Sequence, residues 1–267
     1  MPLASEGSAR QVIRRPDTHR PGGPPPWSAI PAPARRGIGL DLVRARLSGY
    51  HPATGLDTAE VAVVRGINGI DVDGTRAAVL VPLFEEAGET RVVLTVRASH
   101  LRSHRAEVAF PGGRLDDGED VEDAARREAH EEVGLDPASV TVVRHLTSLP
   151  TVGSNTVMTP VVATLPARPV LAPQPTEVAR AFDLALADLL VEGIFAEEWG
   201  ALPGGPGLDG RPGGEYPVWF FEAAGEIIWG ATARVLVELL SVVLDVPPPV
   251  GRAGPRRAPG PGRQAVS

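Results

Sequence analysis

Residues 113–135 read GRLDDGEDVEDAARREAHEEVGL: nine acids against three arginines, a net charge of −6 in a chain whose total is −7. The stretch carries the marks of a helix with defined ends. Asp120 is a good N-cap, and Asp123 three residues on resembles a capping box. Gly134 sits where a left-handed C-cap is expected, and Asp136-Pro137 closes the exit. At 100° per residue, Val121, Ala125, Ala129 and Val133 form an apolar arc. Glu128, Glu131 and Glu132 form a second arc beside it, at the rim of the face to be buried. Like charges so spaced repel, by about 1 kcal/mol per pair at 4 Å in water and about 4 at an effective dielectric of 20. A divalent cation would relieve all three. So, in part, would solvent and arginine partners, the commoner fate of a charged helix face. Oxygen-only ligands favour Mg2+ or Mn2+ over zinc.

The flanks favour the cation. Gly112 and Gly113 end a strand without side chains, which permits a tight turn and a close backbone approach. Glu119 and Arg127 lie on either side of the point where loop becomes helix. An ion pair between them would pin the loop to the helix, a charge-assisted contact worth ~1.5–3 kcal/mol when partly buried. A rigid metal cradle needs that pinning.

Working outward, the chain has 267 residues, 43% of them hydrophobic, enough to bury a real core. It has no cysteine and no lysine. Disulfides, thiol nucleophiles, Cys-ligated zinc, Schiff bases and the P-loop lysine are therefore excluded. No apolar run approaches the ~18–20 residues of a membrane span. The N-terminus lacks the hydrophobic region of a secretory signal, and its prolines spoil the amphipathic helix of an organelle transit peptide. A cytoplasmic protein is expected. Residues 1–36 and 247–267 are rich in Pro, Gly and Arg and read as disordered basic tails around a domain at 37–246. Each tail carries about +4 (six Arg against two acids, then four Arg), which leaves about −15 for the middle.

That middle alternates strands and helices. LDLVRARLSGY reads as a short helix, and RAAVLVPLFEEAGETRVVLTVRAS as two strands around a turn. AEVAF is a strand that must end at PGG, and VTVVRHLTSL and VMTPVVATL are strands. EVARAFDLALADLLVE reads as an amphipathic helix, PVWFFEAAGEIIWG as a hairpin, and TARVLVELLSVVL as a closing helix. Residues 202–217 read as a flexible loop.

The acidic stretch resembles the Nudix box: Gly, five residues, Glu, seven residues, Arg-Glu, an apolar residue, any residue, Glu-Glu, any residue, Gly and an apolar residue. Here those positions are Gly113, Glu119, Arg127, Glu128, Ala129, Glu131, Glu132, Gly134 and Leu135, with Ala129 smaller than the usual aliphatic. The resemblance implies a Nudix-type α/β/α sandwich with a mixed β-sheet and helices on both faces. It implies a hydrolase that cleaves a diphosphate using Mg2+ or Mn2+, with Glu128 and Glu132 as metal ligands. Glu131 is implied as a third ligand or the base that activates water, and Arg127 and Glu119 complete the catalytic set.

Upstream, LTVRASHLRSHRAEVAFPGG (94–113) resembles the signature of the coenzyme A pyrophosphatase branch of that family. It carries Arg97, Leu101, Arg102 and His104 at fixed offsets before Phe110-Pro111-Gly112-Gly113. One departure is Ala106, where the branch has Gly. The stretches VMTPVV and IIWGATARVL also resemble that branch, so the similarity covers roughly residues 39–245. It implies cleavage of coenzyme A or acyl-CoA to 3′,5′-ADP and (acyl-)4′-phosphopantetheine. Arg97, Arg102, His104, Gly112 and Gly113 are then substrate-binding. Arg forks suit phosphate oxygens, and His104 suits a hydrogen bond or a proton shuttle. Other readings are a Nudix hydrolase of ADP-ribose, dinucleotide polyphosphates or oxidised nucleotides, and a non-catalytic binding module. The intact Glu and Arg set argues against the last. The expected partner is a small CoA-like diphosphate, with neither membrane nor nucleic acid, and a homodimer is left open.

Overall fold

The structure is a computed structural model that describes residues 19–52, 75–101, 106–151, 156–201 and 215–247. In chain order, β1 (His19–Pro21) leads through a 3-10 turn to α1 (Leu40–Ser48). Strands β2 (Arg76–Glu86) and β3 (Glu89–Arg97) form a hairpin. Strands β4 (Val108–Ala109) and β5 (Gly112–Arg114) precede α2 (Val121–Val133). Then come β6 (Thr141–His145), β7 (Leu149–Thr151), β8 (Thr156–Thr164) and β9 (Val178–Ala185). Strands β10 (Phe195–Ala201), β11 (Glu215–Ala223) and β12 (Glu226–Trp229) and helix α3 (Gly230–Val243) complete the fold.

The larger sheet runs β4-β3-β2-β8-β6, with β5 on β2, β7 on β8 and β9 on β3. It is mixed, because β2 and β8 are parallel while the other pairs are antiparallel. Strand alternation sorts the core into two layers. Val79, Val81 and Leu83 of β2 join Val92 and Leu94 of β3 in the cluster that holds α1 and α3. Ala78, Leu80 and Phe84 join Val93, Val161 and Ala163 in the cluster under α2. Both faces of β2 are thus covered, which is why RAAVLVPLF is a nearly unbroken apolar run. The result is the expected α/β/α sandwich. Among the described residues no helix is long and apolar enough to cross a membrane.

Turn chemistry sets the two hairpins. Ala87-Gly88 and Ala224-Gly225 all have positive φ, between 53° and 78°, as two-residue type I′ loops require.

Three expectations are corrected. Residues 178–190 are not an amphipathic helix. They form β9 and a 3-10 segment, Leu186–Leu190. Pairing along β3, from Arg91↔Ala185 to Arg97↔Val178, satisfies an edge that would otherwise stay open. Asp183 is also held by Arg91 and Arg168, so tertiary pairing overrides the helical propensity of Ala and Leu.

Strand β4 ends before Pro111 as expected, but Gly112 and Gly113 do not end a strand; they begin β5. That strand pairs with β2, as Val79↔Gly112 and Ala78↔Gly113.

The segment 19–36, expected to be disordered, packs on the domain. β1 pairs with β10 in a second, antiparallel sheet, β1-β10-β11-β12. Trp27 is 1% exposed, stacked on Phe221 at 6.3 Å and edge-on to Phe195 at 5.6 Å. A composition rich in proline hid one large aromatic anchor. Residues 1–18, 202–214 and 248–267 lie outside the described residues.

Candidate active site

The acidic helix forms as its ends dictate. Asp120 accepts hydrogen bonds from Glu122 N and Asp123 N, and Gly134 takes φ 69°. Asp123 lies 3.7 Å from Arg126. At 100° per residue, the fully buried Ala124, Ala125, Ala129 and Val133 mark out the face against the sheet. Glu128 and Glu132 fall inside that arc and Glu131 just outside it. Their side-chain exposures follow: 15% for Glu128, 3% for Glu132 and 57% for Glu131. Glu132 is therefore deeper than the rim position expected for it.

Arg127 organises the exposed side of the cluster. Its Nε and Nη2 donate to Glu119 Oε1 and Oε2, each at 2.9 Å, a two-pronged pair. Nη2 also donates to Arg114 O at 3.0 Å. Nη1 donates to Glu128 Oε1 at 3.0 Å and to Glu131 Oε2 at 3.2 Å. One guanidinium thus ties the loop to two helix carboxylates. Glu119 Oε2 also accepts from Asp116 N at 2.9 Å. The Arg127 hydrogen bonds, with that backbone bond, hold the Glu119 carboxyl below the usual carboxylate range, and they push Arg127 up in turn.

The deeper carboxylates face the opposite situation. Gly112 N donates to Glu132 Oε2 at 3.2 Å, and Arg97 Nη1 stands 3.8 Å from Oε1. These contacts do not offset desolvation, and the Glu132 carboxyl is pushed up to about 7, with Glu128 and Glu177 adding repulsion. Burial also raises Glu128, against the Arg127 hydrogen bond and with repulsion from Glu131 and Glu177. The glycines make this packing feasible. A Cβ on Gly112 would come within 2.6 Å of Val79 Cα, and one on Gly113 within 2.7 Å of Glu128 Oε2.

The structure brings Arg97, Gly112, Gly113, Glu119, Arg127, Glu128, Glu131 and Glu132 to one place. Arg102 and His104 lie outside the described residues. Beside them, Ala106 adopts φ 53°, the left-handed region that favours the glycine of the resembled pattern. Sequence reading missed Glu177. It arrives from the connection before β9, and no local spacing ties it to α2. A groove of about 620 Å³ between α2 and β6 includes Glu122, Arg126 and His145. It lies on another side of α2 and shares no residue with this set.

Among the described residues, no three His, Asp or Glu side chains close on a point that would hold a metal ion. Arg127 draws Glu128 and Glu131 outward, while Gly112 and Arg97 draw Glu132 inward. The donor chemistry nevertheless fits a hard divalent cation. The donors are all carboxylate oxygens, and the bare Gly113 lets the Glu128 carboxylate lie directly against the β5 backbone.

Comparison with known proteins agrees with this geometry. The NUDIX domain family matches residues 74–204. Nudix hydrolase 22, chloroplastic, of Arabidopsis thaliana is 34% identical over 216 residues, 77% of this chain and 67% of that protein. An uncharacterized Nudix hydrolase, NudL, of Escherichia fergusonii is 35% identical over 175 residues, 65% of this chain and 85% of that protein. Coverage is shorter for Nudix hydrolase 3 of Caenorhabditis elegans, 49% identical over 80 residues, of which the chain spans 33%. Among solved structures, a Nudix hydrolase from M. smegmatis aligns with a TM-score of 0.39 and 26% identity over 43% of this chain and 73% of that one. That likeness carries no inference about substrate. The box residues gathered by α2 and the two well-covered relatives lead to one conclusion: the chain belongs to the Nudix hydrolase family.

Proposed function

We propose that this chain is a divalent-cation-dependent hydrolase of coenzyme A or acyl-CoA, releasing 3′,5′-ADP and (acyl-)4′-phosphopantetheine. One observation carries the reading. Arg97, in the stretch that resembles the coenzyme A branch, stands 3.8 Å from the buried Glu132. This contact supports the reading because it joins the segment that resembles that branch to the box carboxylates. Glu128 and Glu132 would hold Mg2+ or Mn2+. When bound, such an ion neutralises a diphosphate and lowers the pKa of a water. Arg127 keeps Glu119 and its loop fixed against α2 and sets the orientation of Glu128. Glu131 is the exposed carboxylate, and its Oε1 is suited to accept the proton of an attacking water. Arg97, already beside the cluster, is placed to pair with a phosphate.

The test is a panel of coenzyme A, dephospho-coenzyme A, ADP-ribose and a dinucleoside polyphosphate with Mg2+ or Mn2+, products separated by chromatography. Coenzyme A should give the highest kcat/KM. Arg97→Ala should raise its KM by roughly tenfold to a hundredfold, the loss of one charge-assisted phosphate contact. Preference for ADP-ribose or the dinucleotide would replace the substrate and leave the hydrolase reading standing.

A further inference from the structure

The connection from β8 to β9, residues 165–177, bridges α2 and the segment that follows Arg97. One part of it lies on the last turn of α2. Ala172 N donates to Val133 O and Gln174 N to Glu132 O, each at 2.8 Å, to carbonyls that a helix end leaves without intrahelical donors. Its far end is held from the other side. Ala98 N donates to Glu177 O at 2.8 Å, and His100 Nε2 lies 3.0 Å from Thr176 O. A carbonyl oxygen can only accept, so the His100 ring carries a proton on Nε2. Between the two ends, Glu177 N and Val178 N both return to Gln174 O, at 3.0 and 2.8 Å, and close the bridge into a turn. The residues after Arg97 are thus tied, through two successive carbonyls, to the helix that carries Glu132. His100 supplies the side-chain bond of that tie, and the other bonds run from backbone to backbone.

We propose that His100 is a positioning residue for the diphosphate substrate: its bond to Thr176 O fixes residues 98–101, and Arg97 before them, relative to α2. The inference rests on the hydrolase reading above. Arg97 N also donates to Glu107 O at 3.0 Å, so the segment is held where it leaves β3 and again at His100. The His100 bond goes to the connection and not to a box carboxylate. Its loss should therefore change how substrate is seated and leave the cation untouched.

The test is steady-state kinetics of the full chain with Mg2+ or Mn2+, on coenzyme A or on whichever diphosphate of the panel it cleaves best. His100→Ala and His100→Phe should each raise KM roughly threefold to tenfold, the worth of one hydrogen bond, with kcat within about twofold of wild type. His100→Gln, whose amide nitrogen donates at a similar reach, should restore most of the wild-type KM. The Mn2+ affinity of His100→Ala, read from free Mn2+ by electron paramagnetic resonance, should equal that of wild type. Wild-type KM in both His100→Ala and His100→Phe would overturn this inference and leave the hydrolase reading standing. So would a loss confined to kcat, a KM that His100→Gln fails to restore, or a fall in Mn2+ affinity. A wild-type chain that turns over no diphosphate would overturn both.

Discussion

Glu132→Gln should lower diphosphate turnover by roughly three orders of magnitude or more, while the metal-free protein becomes more stable above neutral pH. The two effects have one cause. Glu132 is 3% exposed, and its position inside the buried arc of α2 leaves it few polar partners. A glutamine oxygen can still accept the Gly112 N–H, so the fold survives and one carboxylate of the proposed cation site is lost. The sign of the stability effect follows from proton uptake. Burial raises the folded carboxyl to about 7, against 4.5 for the unfolded group. Between those values the folded state holds more protons than the unfolded state, so stability falls as pH rises through the window. At pH 8 the lost stability is on the order of 3 kcal/mol, and the variant does not suffer it. Thermal melts from pH 4 to 8, set beside turnover, read both arms. A variant as active as wild type would remove Glu132 from the site.

Trp27→Ala should cost about 3–5 kcal/mol, the range for deleting a fully buried aromatic. In a domain of this size that is a fall of roughly 10 °C in Tm. Trp27 is 1% exposed between Phe195 and Phe221. Nearby, Arg20 pairs with Glu215 at 2.6 Å, and Gly23 N donates to Glu197 Oε1 at 3.0 Å. Removing the ring leaves a cavity at the junction of β10, β11 and the N-terminal arm. Chemical denaturation of the two proteins decides it. Unchanged stability would mean that the arm adds nothing to the core.

What the sequence disclosed was what local spacing encodes. Helix α2 was legible because its caps, its apolar arc and its glutamates all lie within 15 residues, Asp120 to Gly134. Both hairpins were legible because Ala-Gly interrupts apolar, strand-forming runs. Strand β9 was not, since FDLALADLL suits a helix equally well until β3 offers an edge to pair with. The arm around Trp27 was missed because its burial depends on Phe195 and Phe221, far along the chain. Glu177 was missed for the same reason: hydrogen bonds from a distant turn bring it to α2. The depth of Glu132 was available in the sequence. At 100° per residue it falls about 20° from Val121, inside the apolar arc.

On the proposed function, the charge gathered in residues 113–135 serves to hold a cation that in turn holds a diphosphate. The most direct measurement is incubation of the purified chain with coenzyme A, with Mg2+ or Mn2+ and with a chelator, and separation of the products. The account predicts 3′,5′-ADP and 4′-phosphopantetheine with the cation and intact coenzyme A with the chelator. Cleavage that continues undiminished after the metal is stripped would contradict it, as would a chain that cleaves no diphosphate with either ion.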